Sequence, residues 1–421
     1  MNVAIVGLGK IGVPLAVQFA SKGARVAGYD VDPARVAEIN AGTNPLPAEP
    51  ELAERIPSLA ASGLLRATAD AHDAVADADV TVFIVPVDID AYHQADFTLL
   101  DAAVAAVAPH LKRGALVIVE TTVPAGTTRN RVGAQIAATT GMSPGADFAL
   151  AFSPERVSSG RVLRDLRTYP KIVGGIDAES TARAARFYGA MLDAEVLEVR
   201  DAETAEFSKL AETTYRDVNI ALANEFARIA GRIGVDALQA IAAANTQPYS
   251  HIHAPGAGVG GHCIPVYPYF VDGAGEPDDL IGVARRLNDG MAAYAVSRLE
   301  QALGTLHSAT VVVLGLAYRS GVKESRHSSA YGLASALATR GATAYVHDPL
   351  YDDAEIAAHG LRPPPAFPLA CDALVVQAWH EQYAGLDLGA FSGLRAVLDT
   401  RAALDPAAVA AAGAAYVGIG R

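Results

Sequence analysis

The chain has 421 residues, 51% of them hydrophobic, with a formal net charge of −13 and two cysteines. That length predicts two or three domains of roughly 150 residues each, and the acidic balance argues against a general binder of phosphate backbones. Two cysteines exclude a disulfide framework and fit a reducing cytoplasm. No apolar run approaches the roughly 20 residues that cross a bilayer, and the opening MNVAIVGLGKIGVPL lacks the basic start and small-residue cleavage site of a signal peptide.

Residues 2–7 predict a short buried strand, and Gly7, Gly9 and Gly12 then spell G-x-G-x-x-G before a helical pattern that runs to about Lys22. A second strand, Arg25 to Tyr29, ends at Asp30. Strand, glycine turn, helix, strand and terminal acid make up a whole dinucleotide-binding unit. Gly7 permits the tight turn, Gly9 lets a pyrophosphate approach the backbone, and Gly12 lets helix and strand pack closely. The helix N-terminus favours the phosphates. Asp30 would accept hydrogen bonds from ribose hydroxyls and repel a 2′-phosphate, which favours NAD over NADP. The alternative is a tight turn with no ligand. Further strands are predicted at 80–85, at 116–119 before Glu120-Thr-Thr122, and at 148–152 before Ser153-Pro154-Glu155-Arg156. Ligands of doubly wound sheets bind beyond the carboxyl ends of the strands, so Thr122 and Glu155 are placed to reach a site. Taken alone, Thr122 reads equally as a helix cap and Glu155 as a solvated loop carboxylate.

From about Asp201, Phe207, Leu210, Thr214, Val218, Leu222, Phe226, Ile229 and Ile233 recur at helical spacing, predicting a helix of 25 residues or more. Such a helix after a dinucleotide-binding domain joins two domains or forms a dimer core. Lys209, Thr213, Arg216 and Ile220 form a second stripe; on its own, Lys209 reads as an exposed lysine pairing with Glu206 or Glu212. The run Gly258-Val-Gly-Gly-His262-Cys263-Ile-Pro265 follows, a glycine-rich loop that presents a candidate nucleophile. A helix over about Leu280 to Leu303 contains Ala284-Arg285-Arg286-Leu-Asn288-Asp289, which reads as a solvated face. Strands predicted at 310–314, 344–347, 374–377 and 396–399, with a helix at 330–340, make a second α/β domain. Its first turn lacks G-x-G-x-x-G, so no second full dinucleotide site is expected. Arg319, Lys323 and Arg326 read either as a phosphate site or as surface charge, and Cys371 as a buried core thiol. The expected fold is α/β: two Rossmann-like doubly wound domains, 1–200 and 304–421, joined by a central helical segment, 201–303.

In order along the chain, GLGKIG with Asp30, ETTVPAGTT, FSPERV, AEFSKLAETTYRDVNIALANE, GVGGHCIPVYP, GLAYRSGVKESRHS, HDP and DTR resemble the UDP-glucose/GDP-mannose dehydrogenase family over nearly its whole length. The resemblance implies an N-terminal NAD domain, a helical dimerising middle and a C-terminal domain contributing to a UDP-sugar site, in a cytoplasmic homodimer of polysaccharide biosynthesis. It implies oxidation of a sugar C6 alcohol to the carboxylate with two NAD+. By resemblance Cys263 is the nucleophile that holds the aldehyde through the second oxidation. Lys209 stabilises the oxyanion and the thiolate, Glu155 assists the hydrolytic water, and Thr122 and Thr213 complete the catalytic set. Gly7, Gly9, Ile11, Gly12, Asp30, Arg35, Thr122 and Arg326 are expected to bind NAD. Glu155, Arg156, Lys209, Gly260 and Arg319 are expected to bind the sugar nucleotide. Four positions depart from the family pattern: Thr213 stands for asparagine, Tyr267 for aspartate, Val266 for lysine and Val87 for threonine. Ser153-Pro-Glu-Arg156-Val and His262 look like the branch acting on UDP-N-acetylhexosamines, which points to UDP-N-acetyl-mannosamine or UDP-N-acetylglucosamine, with UDP-glucose or another nucleotide- or nucleoside-linked sugar as alternatives. A nucleotide-sugar-binding protein without turnover is the reading of a different class.

Overall fold

The computed structural model describes residues 1–157, 160–271 and 279–421, and the chain divides into two compact units. The first unit comprises Met1–Glu212 with Tyr269–Asp272. Its strands are β1 (Asn2–Val6), β2 (Arg25–Tyr29), β3 (Leu65–Thr68), β4 (Val80–Phe83), a short antiparallel hairpin of β5 (Asp88–Ile89) and β6 (Ala95–Asp96), β7 (Leu116–Val119), β8 (Ala149–Phe152), β9 (Lys171–Gly175) and β10 (Val196–Glu198). Eight of them form one sheet in the order β10-β9-β8-β7-β4-β1-β2-β3. The run β3-β2-β1-β4-β7-β8 is parallel throughout, and β9 turns antiparallel against β8. The strand order therefore reverses between β1 and β4, the switch point where doubly wound sheets hold ligands.

The local sequence explains the layering. VTVF, LVIV and ALAF in β4, β7 and β8 are buried at every residue, as strands must be when helices cover both faces. The helix Gly12–Ser21 is buried from Gly12 to Ala20 and packs Phe19 edge-on against Phe187, with ring centroids 5.2 Å apart. The hairpin's His93 stacks on Tyr269 at 4.3 Å, which draws that later segment into the first unit.

The second unit holds β11 (Thr310–Leu314), β12 (Thr343–His347), β13 (Ala373–Val376), β14 (Ala396–Asp399) and β15 (Ala415–Gly418), all parallel, in the order β12-β11-β13-β14-β15. It is a second doubly wound sheet, as expected from its alternating strands and helices. Ala295, Val296 and Leu299 of the helix Leu280–Leu303 join Val311, Val313 and Leu333 in its core. That helix is not solvated along Arg285 and Asn288. Arg285 is 3% exposed and donates to Asp217 at 2.6 Å, and Asn288 donates to the same carboxylate at 2.9 Å. A buried ion pair is tolerated only with such added hydrogen bonds, and the polar residues that suggested a wet face instead tie this helix to the long one. The long helix runs from Ala202 to Ile233, 32 residues, close to the predicted limits. Half of the stripe that revealed it is exposed, with Phe207 52% and Leu222 46% accessible, while Leu210 is buried. Its buried face is built from small and polar residues such as Ala205, Thr213, Asn224 and Ala227.

Candidate active site

The glycine turn lies at the carboxyl end of β1. Gly7 has φ +97°, open to glycine without strain, and a Cβ on Gly12 would stand 1.8 Å from the Gly7 carbonyl oxygen. Both positions are fixed by packing. A Cβ on Gly9 would meet nothing within 4 Å, so that residue keeps space clear beside the backbone. The helix starting at Gly12 has no side-chain cap and no acid in its first turn; Val13 donates to the Gly9 carbonyl at 3.2 Å and Pro14 has no N–H, so it is the Gly12 end of the helix that would meet an anion. Asp30, at the end of β2, accepts from the N–H of Leu8 at 2.7 Å and of Asp32 at 2.9 Å, and a carboxylate has lone pairs to spare beyond those two. Arg35 donates to the Leu8 carbonyl at 3.1 Å, so acid and base clamp the same turn from two sides. Ile11 is the residue before the helix and packs on the core beneath it. Open space, an uncapped helix N-terminus and a terminal carboxylate fit a dinucleotide.

Thr122 and Glu155 occupy the loops after the neighbouring strands β7 and β8, at the same edge of the sheet. Thr122 is buried and precedes no helix directly, so it is not an N-cap. Glu155 is not a solvated carboxylate. Its side chain is 12% exposed, and one oxygen accepts the N–H groups of Arg156 at 2.5 Å and Val157 at 2.8 Å. Arg156 is held by Glu212 at 2.7 Å. Lys209 is buried, at 7% exposure, and so is not the exposed surface lysine that the sequence alone suggested. Glu212 holds Arg156, and Glu206 accepts the backbone N–H of Gly126 at 2.5 Å and Thr128 at 2.7 Å. Glu206 thus fastens the start of the long helix to the loop that carries Thr122. Lys209 stands one turn on, and the buried Thr213 one turn beyond it.

The thiol loop belongs to the second unit, where Cys263 is exposed. Its approach is pinned by the long helix: Asn219 bonds to His251 and His253, and Asn224 accepts the Gly256 N–H at 2.9 Å. Beyond that, Gly258 takes φ +133°, and Gly260 lies so close to Tyr318 that a Cβ would approach to 2.7 Å. Gly261 donates to the Arg326 carbonyl at 2.8 Å. Tyr267, in place of the family's aspartate, turns its hydroxyl to His262 Nδ1 at 3.3 Å, directly beside the cysteine. Val87 and Val266 are buried apolar residues, at 1% and 0% exposure. Of the basic trio after β11, Lys323 is engaged by Glu355 at 2.5 Å, while Arg319 lies exposed against Tyr318 and Arg326 is exposed. Cys371 is buried as expected, and burial pushes its thiol up to about 12.

Several residues packed around these loops were not singled out from the sequence. Lys171 and Glu120 form a buried ion pair at 3.1 Å behind the Glu155 loop, with the Tyr188 hydroxyl donating to Glu120. The available signal was a lysine opening an otherwise apolar strand, KIVGG. Asn219 and Asn224 were read only as part of a helix.

The glycine turn and its terminal carboxylate mark the first unit as a dinucleotide-binding, dehydrogenase-type α/β unit, and the second unit presents an exposed thiol on a braced loop. The family models agree along the chain: the NAD-binding domain of the UDP-glucose/GDP-mannose dehydrogenase family matches residues 1–192, its central domain 203–289 and its UDP-binding domain 312–406. The chain belongs to the UDP-glucose/GDP-mannose dehydrogenase family, and NAD is its cofactor. It is 36% identical to UDP-N-acetyl-D-mannosamine dehydrogenase of Pyrococcus horikoshii, over 91% of this chain and 90% of that one. It is 35% identical to NDP-N-acetyl-D-galactosaminuronic acid dehydrogenase of Ralstonia nicotianae, over 95% of each. The solved UDP-D-ManNAc dehydrogenase from P. horikoshii superposes with a TM-score of 0.90 at 34% identity, covering 100% of this chain and 99% of that one.

Proposed function

We propose that this enzyme oxidises the C6 hydroxymethyl group of a UDP-N-acetylhexosamine, UDP-N-acetyl-mannosamine foremost, to the uronate. The observation that carries the reading is Cys263, an exposed thiol on a loop fixed by backbone bonds and close glycine contacts. Bound NAD supplies the hydride acceptor for each of the two oxidations. Gly7, Gly9, Ile11 and Gly12 cradle its pyrophosphate, Asp30 and Arg35 hold its adenosine, and Arg326 takes a phosphate charge. Cys263 adds as thiolate to the C6 aldehyde, its sulfur bonding to carbon while the carbonyl oxygen becomes an oxyanion that Lys209 stabilises. Loss of the second hydride leaves a thioester. Glu155 draws the proton from the water that attacks it, with Thr122 and Thr213 orienting the groups, and the carboxylate leaves as the thiol is restored. Arg156, Gly260 and Arg319 contact the sugar nucleotide. An exposed thiol on the catalytic loop suits a reducing, cytoplasmic setting. The exposed apolar side of the long helix, Phe207, Tyr215, Leu222 and Phe226, supports a homodimer.

A panel of UDP-sugars with NADH counting tests the reading. The expected result is two NADH per UDP-N-acetyl-mannosamine, with a uronate product. One NADH and a free aldehyde would overturn the thioester route, and tight sugar binding without any NADH would show a binding protein instead. Cys263→Ser is expected to lower the two-step turnover on the order of 10³-fold or more.

A further inference from the structure

Lys171 is an unusual residue at its position. It opens β9, whose other residues are apolar or glycine, and it is buried. An ammonium withdrawn from water must be compensated by charge and hydrogen bonds. Here it lies 3.1 Å from a Glu120 oxygen, 3.8 Å from a Glu155 oxygen and 3.5 Å from the Pro154 carbonyl, over the face of the Tyr188 ring. Glu120 follows β7 directly, two residues before Thr122, and is fully buried. Its second oxygen receives the Tyr188 hydroxyl. Beside Glu155, Arg156 pairs with Glu212, and Lys209, read above as part of the same site, is a further buried cation of this unit.

Two carboxylates therefore share one buried ammonium. We propose that Lys171 is a positioning residue for Glu155, holding positive charge against its carboxylate, and that Glu120 competes for the same ammonium and so sets how much of it Glu155 receives. The proposal rests on the reading of Glu155 as the group that activates water. Burial raises the Glu120 pKa, opposed by Lys171. Glu120 is thus a partner whose hold on the lysine weakens when it takes a proton.

The two neighbours carry opposite charge, so their removal has opposite effects on a base that must be ionised to work. The test is the acid limb of the kcat pH profile with a UDP-sugar turned over by the wild type. Lys171→Met is expected to move that limb to higher pH by about one unit, a tenfold loss of kcat at a pH on the limb. Glu120→Gln, nearly isosteric, is expected to move it to lower pH, and Lys171→Arg to keep it near the wild-type position. Glu120→Gln carries the test alone if Lys171→Met does not fold. A brace between strands would cost stability without opposed shifts, so limbs that stay put, or move together, overturn the proposal. Glu155→Gln separates the two readings. A limb lost in that variant but unmoved in the others overturns only the role of Lys171 and Glu120. A limb that survives in it overturns the Glu155 reading and this proposal with it.

Discussion

Gly9 and Gly12 stand three residues apart in one turn and answer to different demands. Gly12 has no room for a methyl group, with the Gly7 carbonyl in the way, whereas Gly9 faces open space. Gly12→Ala is expected to destabilise the first unit by about 3 kcal/mol or more, since backbone must move to relieve the clash. Gly9→Ala is expected to melt within about 1 kcal/mol of wild type yet weaken NAD binding tenfold or more, because only the ligand needs that space. Thermal melts with NAD titrations check both, and equal melting losses would refute the distinction. The places of the glycine turn, of Asp30 at the end of β2 and of Cys263 on its loop were legible in the sequence because residue type and short-range spacing mark them. Lys171 and Glu120 were not: they lie 51 positions apart, and only the pairing of β7, β8 and β9 brings them together. Arg285 misled for the same reason, its partner Asp217 being on another helix.

Elements long enough to show a period were read nearly to the residue, as with the long helix, β2 and β7. The two-residue strands β5 and β6 have no period to read, and the π-helical turn Thr128–Gly133 begins at a residue whose N–H is held by Glu206, 78 positions away in the chain. That anchor has a pH signature. Burial pushes Glu206 from 4.5 up to about 7, against the hydrogen bonds it accepts. An acid whose folded pKa is raised gives stability that is complete below its unfolded pKa and is lost as pH rises through the folded one. Wild type is therefore expected to lose on the order of 3 kcal/mol relative to Glu206→Gln between pH 4.5 and pH 8. Urea unfolding of both proteins at the two ends of that range measures the difference, and a gap independent of pH would contradict it.

At the scale of the molecule, the apolar periodicity that identified the long helix does not describe what the single chain buries. Phe207, Tyr215, Leu222 and Phe226 fall on one side of it and remain accessible. The proposed homodimer would cover that side, and sedimentation is then expected to give about twice the 43.5 kDa chain mass. Leu222→Glu combined with Phe226→Glu is expected to give monomers, and a dimer unaffected by both changes would place the interface elsewhere. The sequence could not separate a core stripe from an interface stripe, because both are apolar at the same spacing.

The two cysteines differ in access as sharply as two thiols can. Cys371 is sealed in the second sheet and Cys263 stands in the open. In the folded protein, then, an alkylating reagent counts exposed thiol loops, one per chain. The second thiol reports when the sheet that hides it comes apart, so the chain carries its own gauge of the open loop and of the intact fold.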